Sequence, residues 1–407
     1  VRRRSSAVLG TTTACCLLLL PPPIRAHTDY RQVAEPPRPA ATRTLAADRE
    51  TFVIGAPAEV TGPRVHSVLP APRGPHALLL REVPRNRLSP GGQPEQQRFT
   101  DGEFQVLLWN GRTGRTSVVW RRRVDARTSL SVLEAQWLSD SDTAAVQLAL
   151  APLGEDGTPL KGPDGEMVPG EFLVLLVGAR GGTARSLPLT DQDVVHFSPV
   201  QPLAVIERTV PTTAEGAAYF EEMESSLRVL REDGTTGPEV PLPKGAALSL
   251  EFSETPDTVF VAKRERTPPP QNRRRYIHFS LDLKNGALTP LPGEPKAAKA
   301  AQERQAAHLA QQPIRLRASD GMLQDDATGV REPLRAVWLE RQPHPGEDAG
   351  AATDARVLIV PDGEGVALLP DLSAALYLTR DGVLRAVPIF RKPAGAATAV
   401  TGAPSGG

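Results

Sequence analysis

Val65–Leu80 (VHSVLPAPRGPHALLL), Glu134–Leu148 (EAQWLSDSDTAAVQL), Val194–Ile206 (VVHFSPVQPLAVI), Leu248–Ala262 (LSLEFSETPDTVFVA) and Val366–Leu378 (VALLPDLSAALYL) are five versions of one phrase. In each, an apolar run stops at a short turn rich in Ser, Pro, Asp or Gly, and a second apolar run follows at once. A unit that recurs on this scale marks stacked supersecondary modules. With Leu69, Leu138, Phe197, Phe252 and Leu369 taken as equivalent, the last interval is about twice the others. A sixth, degenerate unit is therefore expected between Leu291 and Asp362.

A second phrase trails the first: a strand, a tight Gly-bearing turn, another strand. It reads Phe104–Trp120, Phe172–Leu189, Leu227–Leu242 and Tyr276–Leu291, with Asn110-Gly111, Asp233-Gly234 and Asn285-Gly286 expected to supply positive φ. Together the phrases make four antiparallel strands per unit. One such sheet cannot cover both of its apolar faces, whereas neighbours packed radially cover each other. The prediction is an all-β chain, a β-propeller of about six four-stranded blades with one Ala-rich helical insertion at Pro295–Gln312. The blades are expected at 65–120, 131–189, 193–242, 246–291, 313–360 and 365–390. Thr51–Ile54 would add an outer strand to the last blade and close the ring. The fifth blade shows no legible outer strand, and rings of five or seven are the alternative counts.

Phe197-Ser198-Pro199 and Phe252-Ser253, each followed by a turn and a strand, resemble the "FSPDG" half of the TolB-like, WD40-like (PD40-type) propeller repeat. Leu281–Leu291 (LDLKNGALTPL) is similar to its other half. The resemblance spans 51–392, although the Asp-Gly after Ser-Pro is missing from most copies and no WD dipeptide occurs. It implies a docking platform that meets a protein or peptide partner through the tunnel mouth and a loop-rich face.

The N-terminus reads as an export signal over 1–26: basic Arg2–Arg4, an apolar Ala7–Leu20 and a cleavage site ending at Ala26. The apolar stretch is too short to span a bilayer. Periplasmic or extracellular localisation follows, with a lipid anchor through Cys16 as the alternative. Both cysteines lie in this segment, so the mature chain is expected to use neither disulfides nor Cys-ligated metal. Residues 27–50 read as a flexible leader and 393–407 as a disordered tail. Lys+Arg and Asp+Glu are both 47, which gives no global field for nucleic acid. A monomer without cofactor or metal is expected.

Five polar insertions fall between second and third strands: Pro84–Thr100, Ala151–Gly170, Thr209–Glu224, Glu265–Arg275 and Gln342–Ala355. Meander topology would gather all of them, and the helix, on one face of the disc, where binding usually resides. The residues singled out there are Tyr219, Phe220 and Glu221 as a stacking and acidic group, and Arg121, Arg122, Arg273, Arg274 and Arg275 as anion-binding basic residues. No G-x-S-x-G, H-E-x-x-H or Gly-rich phosphate loop occurs. His196 and His278 read as ordinary strand positions. The rival function is a propeller enzyme, a glycan lyase or hydrolase, with its site in the central tunnel. Titratable residues on the innermost strands would favour it, and an apolar lining would favour a passive role.

Overall fold

A computed structural model describes residues 44–47, 50–84, 102–125, 127–155, 158–163, 165–180, 184–212, 223–244, 246–266, 274–299, 301–324, 331–342, 356–360, 363–379 and 381–393. The chain folds as six antiparallel sheets arranged as a β-propeller. After β1 (Thr44–Ala47), β2 (Glu50–Ile54) and β3 (Ala58–Thr61), sheet one is β4 (Val65–Pro70), β5 (His76–Pro84), β6 (Gly102–Asn110) and β7 (Arg115–Val124). Sheet two is β8 (Thr128–Trp137), β9 (Thr143–Pro152), β10 (Glu171–Gly178) and β11 (Ala184–Leu189). Sheet three is β12 (Asp193–Phe197), β13 (Leu203–Pro211), β14 (Met223–Arg231) and β15 (Val240–Pro241). Sheet four is β16 (Ala246–Phe252), β17 (Thr258–Arg266), β18 (Arg274–Asp282) and β19 (Leu288–Leu291). Helix α1 (Ala301–Leu309) precedes sheet five, which is β20 (Ile314–Gln324), β21 (Arg331–Arg341) and β22 (Arg356–Val360). Sheet six is β23 (Gly363–Leu368), β24 (Ala374–Thr379) and β25 (Leu384–Pro393), joined by β1–β3.

Second strands read as unbroken apolar runs because both of their faces are covered. In β5, Leu78 and Leu80 enter a cluster with Val146, Leu148 and Leu175 of sheet two, while Ala77 and Leu79 join Leu376, Leu384 and Ala386 of sheet six. Side chains alternate across a strand, so one tetrad serves two interfaces. Further clusters seal sheets two and three through Leu138, Val174, Val195 and Ile206, three and four through Val205, Leu227, Val259 and Leu281, and five and six through Ile314, Leu339, Ile359 and Tyr377. Each fully buried Leu, Ile or Phe contributes about 1.5–3 kcal/mol. Among the described residues, no such cluster joins sheets four and five.

The recurring serine has a structural task. Ser198, wholly buried, accepts hydrogen bonds at Oγ from the Val200 and Gln201 amides, and Ser253 Oγ accepts from Thr255 N at 3.0 Å. The hydroxyl thereby closes the turn between first and second strands. Gly234 and Gly286 adopt positive φ, but in sheet one it is Gly114 (φ 67°) rather than Gly111 that does so. Asn110 Oδ1 organises that turn by accepting from the Arg112 and Thr113 amides. Gly111 is required for another reason, since a Cβ there would lie 2.4 Å from Leu369 Cδ1 of sheet six.

Ring closure uses more of the N-terminal segment than the sequence suggested. Ala58–Thr61 pairs with the start of β25 and Glu50–Ile54 with its end, through Ile54↔Ile389 to Glu50↔Pro393. Strand β1 pairs in turn with β2, and Leu45, Ala47 and Phe52 are buried in the cluster between sheets five and six. The stretch read as flexible therefore ends in ordered strand from Thr44, because its apolar residues have a place to bury.

The helix is also shorter than expected, and it is displaced. Residues 295–299 are extended: Ala298 N donates to Phe252 O and Lys299 N to the Glu254 carboxylate, so these amides are unavailable to a helix. Both partners lie at the end of sheet four where first and second strands turn. Gln312 Nε2 then reaches Pro370 O, in the equivalent turn of sheet six. The link thus crosses to the turn end of the ring, and sheet five starts from there with reversed polarity. An odd number of strands restores parity, and three bring the chain back to where β23 must begin. Helix α1 and the roots of the Gln342–Ala355 insertion consequently lie on the turn side, so the insertions are not all gathered on one face. The insertions at Thr209 and Glu265 are themselves shorter, since Thr209–Pro211 pairs with Met223–Ser225 and Glu265–Arg266 with Arg274–Arg275.

Asp193 knots the entry to sheet three. Its side chain is fully buried and accepts from Thr190 N and Oγ1, from Arg208 Nε and Nη2, and lies 3.5 Å from Arg228 Nη2. Burial alone would raise its pKa, but the bonds from Arg208 and Thr190 hold it below the ordinary aspartate value of 3.8. Asp193→Asn should cost about 3 kcal/mol by leaving two arginines without their counter-ion. A depressed folded pKa contributes stability that is fully present above the unfolded value and lost as pH falls through the folded one. The urea midpoints of wild type and variant should therefore converge only below about pH 4. At the return from sheet five, a Cβ on Gly363 would meet Leu378 O at 2.7 Å and Val360 Cγ1 at 3.0 Å. Gly363→Ala should lose about 1–3 kcal/mol, measured by thermal unfolding.

Candidate functional site: the axial channel

First strands of neighbouring sheets lie side by side, β4 with β8, β23 with β4 and β20 with β23, which puts them around the axis. What they carry there is titratable. In sheet one, His66 Nε2 of β4 is 3.0 Å from Glu82 Oε1 of β5. In sheet three, His196 Nε2 of β12 is 2.9 Å from Glu207 Oε2 of β13. In sheet five, Arg315 and Arg317 of β20 both reach Glu340 of β21, at 2.5 and 3.4 Å. Alternate sheets thus pair a first-strand base with a second-strand glutamate. The glutamates are the more buried partners, with side chains 24%, 11% and 1% exposed.

Sheet two contributes Glu134, and a β-bulge decides where it points. Val132 pairs with Leu148 on the face that packs against sheet one. Strict alternation would send Glu134 into the same apolar cluster. Instead the register shifts between Val132 and Glu134, so that Glu134 pairs with the buried Gln147 and Ala135 takes the apolar position. One extra residue re-aims a side chain in this way at a modest cost in ladder bonds. Burial raises the Glu134 pKa above its ordinary value of 4.5, and the charge of His196 on the next sheet only partly opposes this. The charge of His196, itself paired with Glu207, therefore reaches the Glu134 carboxyl from the next sheet. Glu207 is buttressed further by Thr209 Oγ1 at 3.4 Å, which shares a bond with Ser225 Oγ at 3.0 Å. A carboxyl whose pKa is shifted by burial near a charged partner is one mark of a functional centre.

The residues singled out from the sequence do not assemble. Tyr219, Phe220, Glu221 and Arg273 lie outside the described residues. Arg121 and Arg122 sit on β7, the outer strand of sheet one, where Arg122 Nη2 pairs with Glu171 Oε2 at 2.8 Å. Arg274 and Arg275 begin β18 in sheet four, and Arg275 is exposed. His196, read as an ordinary strand position, belongs to the channel pair, and His278 lines a small cleft with Ser249, Glu251, Phe260 and Glu294. Only the period-2 placement of His196 and Glu207 on one face was open to sequence reasoning. The bulge that turns Glu134 out of the apolar cluster leaves no local signature. Among the described residues no cluster of three or more His, Cys, Asp or Glu could hold a metal, and no helix is long and apolar enough to cross a membrane.

No family model matches the chain, and no curated protein does. Among solved structures it is similar to an acylaminoacyl peptidase from Pyrococcus horikoshii at 9% identity and a TM-score of 0.31, covering 70% of this chain and 36% of that one. The chain thus spans about a third of that peptidase's length. It is also similar to the β-propeller domain of the Trilobed protease from Pyrococcus furiosus, at 9% identity and a TM-score of 0.30, covering 82% and 95%. The tricorn protease matches at 9% identity and a TM-score of 0.24, covering 86% and 49%. Likenesses this distant carry no argument about chemistry, and the fold assignment rests on the order and packing of the sheets.

Proposed function

We propose that the protein binds a hydroxyl-bearing ligand in its axial channel and exchanges protons with it there, in the manner of a glycan lyase or hydrolase. The observation that carries this reading is the 2.9 Å pairing of His196 Nε2 with Glu207 Oε2 on the first two strands of sheet three, with the His196 charge felt by Glu134, the carboxyl with a raised pKa on the neighbouring sheet. When His196 donates its Nε2–H to Glu207, Nδ1 is left with a lone pair and can accept a proton from the ligand or from water. Glu134, in its protonated form, can donate to the oxygen that leaves. An acid that donates and a base that accepts are the recurring acid–base arrangement.

A docking role is the second reading, favoured by the described part of the sheet-two insertion. Bridges Leu153↔Pro159 and Lys161↔Met167 order it, yet Leu160 and Met167 remain 40% and 57% exposed. That is an apolar tip of the kind a protein partner would cover. It accords with the TolB-type resemblance and with export from the cytoplasm.

A panel of glycans and peptides, scored for cleavage products, tests the first reading. With a positive substrate, Glu134→Gln should lower turnover by at least about 100-fold while leaving ligand affinity near wild type. The rate should fall as pH rises through the raised Glu134 pKa, because the protonated form is the active one. Full rate in both Glu134→Gln and His196→Gln would remove the acid–base reading and leave docking. A Leu160→Ser, Met167→Ser pair that no longer captures a partner held by wild type would then support it.

A further inference from the structure

The interface without an apolar seal also carries a cluster of arginines. On β20–β22, Leu316, Leu339, Val357 and Ile359 face sheet six. The alternate residues therefore present the opposite side toward sheet four. Two rows cross it: Arg315, Glu340 and Arg356 stand opposite one another on the three strands, and Arg317 pairs with Trp338 in the next row. Glu340 is 1% exposed and is held by Arg315 and Arg317, while the Arg356 guanidinium lies 4.5 Å from the centre of the Trp338 ring. Two guanidinium groups thus share one carboxylate, and with Arg356 the face carries two more positive charges than negative ones. Glu251 and Glu294 line the small cleft on the sheet-four side. Among the described residues none of the three arginines pairs with a carboxylate of sheet four.

Both exposed guanidinium groups are held in place before any ligand arrives, Arg317 by Glu340 and Arg356 by the indole. Fixed guanidinium forks recognise carboxylate or sulfate through paired hydrogen bonds, and fixing them beforehand removes the entropy cost of ordering two long side chains. The row runs from the channel strand β20 outward to β22. The strands that carry Arg317 and Arg356, β20 and β22, are two strand spacings apart, about 10 Å. An extended acidic peptide presents same-side carboxylates only about 6.6–6.8 Å apart. The wider spacing suits a glycan that carries an acid on every second sugar.

We propose that this face of sheet five, in the seam with sheet four, is a binding subsite for an anionic carbohydrate bearing carboxylate or sulfate groups. It goes beyond the acid–base reading of the channel and stands on different residues. The experiment measures binding by the full chain of three probes, a hyaluronan oligosaccharide with a carboxylate on every second sugar, a sulfated dextran and a neutral dextran, with poly-glutamate as the peptide control. Wild type should bind the first or second, with affinity that falls as salt rises, and should not bind the neutral chain. The first of these against the second identifies the acid group. Arg317→Ala combined with Arg356→Ala should weaken binding at least about tenfold at unchanged thermal stability, since both side chains are largely exposed. Arg356→Lys, which keeps the charge but loses the fork, should fall between. Glu134→Gln should bind as wild type does, so a failed channel mechanism and a failed subsite are told apart. Equal binding by the arginine double variant, tighter binding of poly-glutamate, or no anion binding at all would overturn the proposal.

Discussion

Every sheet of this protein has two apolar faces, and that constraint organises the rest. A strand such as β9, with Ala144, Ala145, Val146 and Leu148 all at 0% exposure, has no solvent side to offer. Two stacked sheets would leave their outer faces bare, whereas a ring gives every sheet a neighbour on each side. Closure follows from the same need. The N-terminal strands β2 and β3 pair along β25, and Phe52 and Leu45 fill the last gap between sheets five and six.

The one departure from that rule organises the basic surface. Sheet five enters from the turn end, after a link that crosses the face of sheet four and makes a helix on the other side. Three strands are what parity then demands. Its face toward sheet six is apolar, while its face toward sheet four carries Arg315, Arg317, Trp338, Glu340 and Arg356. A sheet with one wet face resembles the half-buried antiparallel sheets of other folds. The alternation Ile314-Arg315-Leu316-Arg317 states this in the sequence itself. Read alone, that pattern could not say that the wet side faces another sheet rather than open solvent.

The channel illustrates how polar groups are accommodated at the centre of an apolar ring. First strands lie nearest to the axis, so their side chains can be His, Glu or Arg where a polar partner is at hand. Each buried glutamate has a base to hold, as buried carboxylates require. Glu134 differs: burial raises its proton affinity, and the charge of His196 on the next sheet only partly opposes this.

What the sequence determined by itself is the strand-turn-strand phrase, its six-fold recurrence and hence the propeller, because period-2 apolarity and turn chemistry are local. The serine turns and the hairpins at Gly234 and Gly286 could be read directly. The helix start could not, since the amides of Ala298 and Lys299 are claimed by Phe252 and Glu254, residues more than forty positions away. Nor could the bulge at Leu133, the reversal of sheet five, or the effect of the His196 charge on Glu134. Those depend on which backbone groups and faces become neighbours once the ring has closed, and only the tertiary structure decides that.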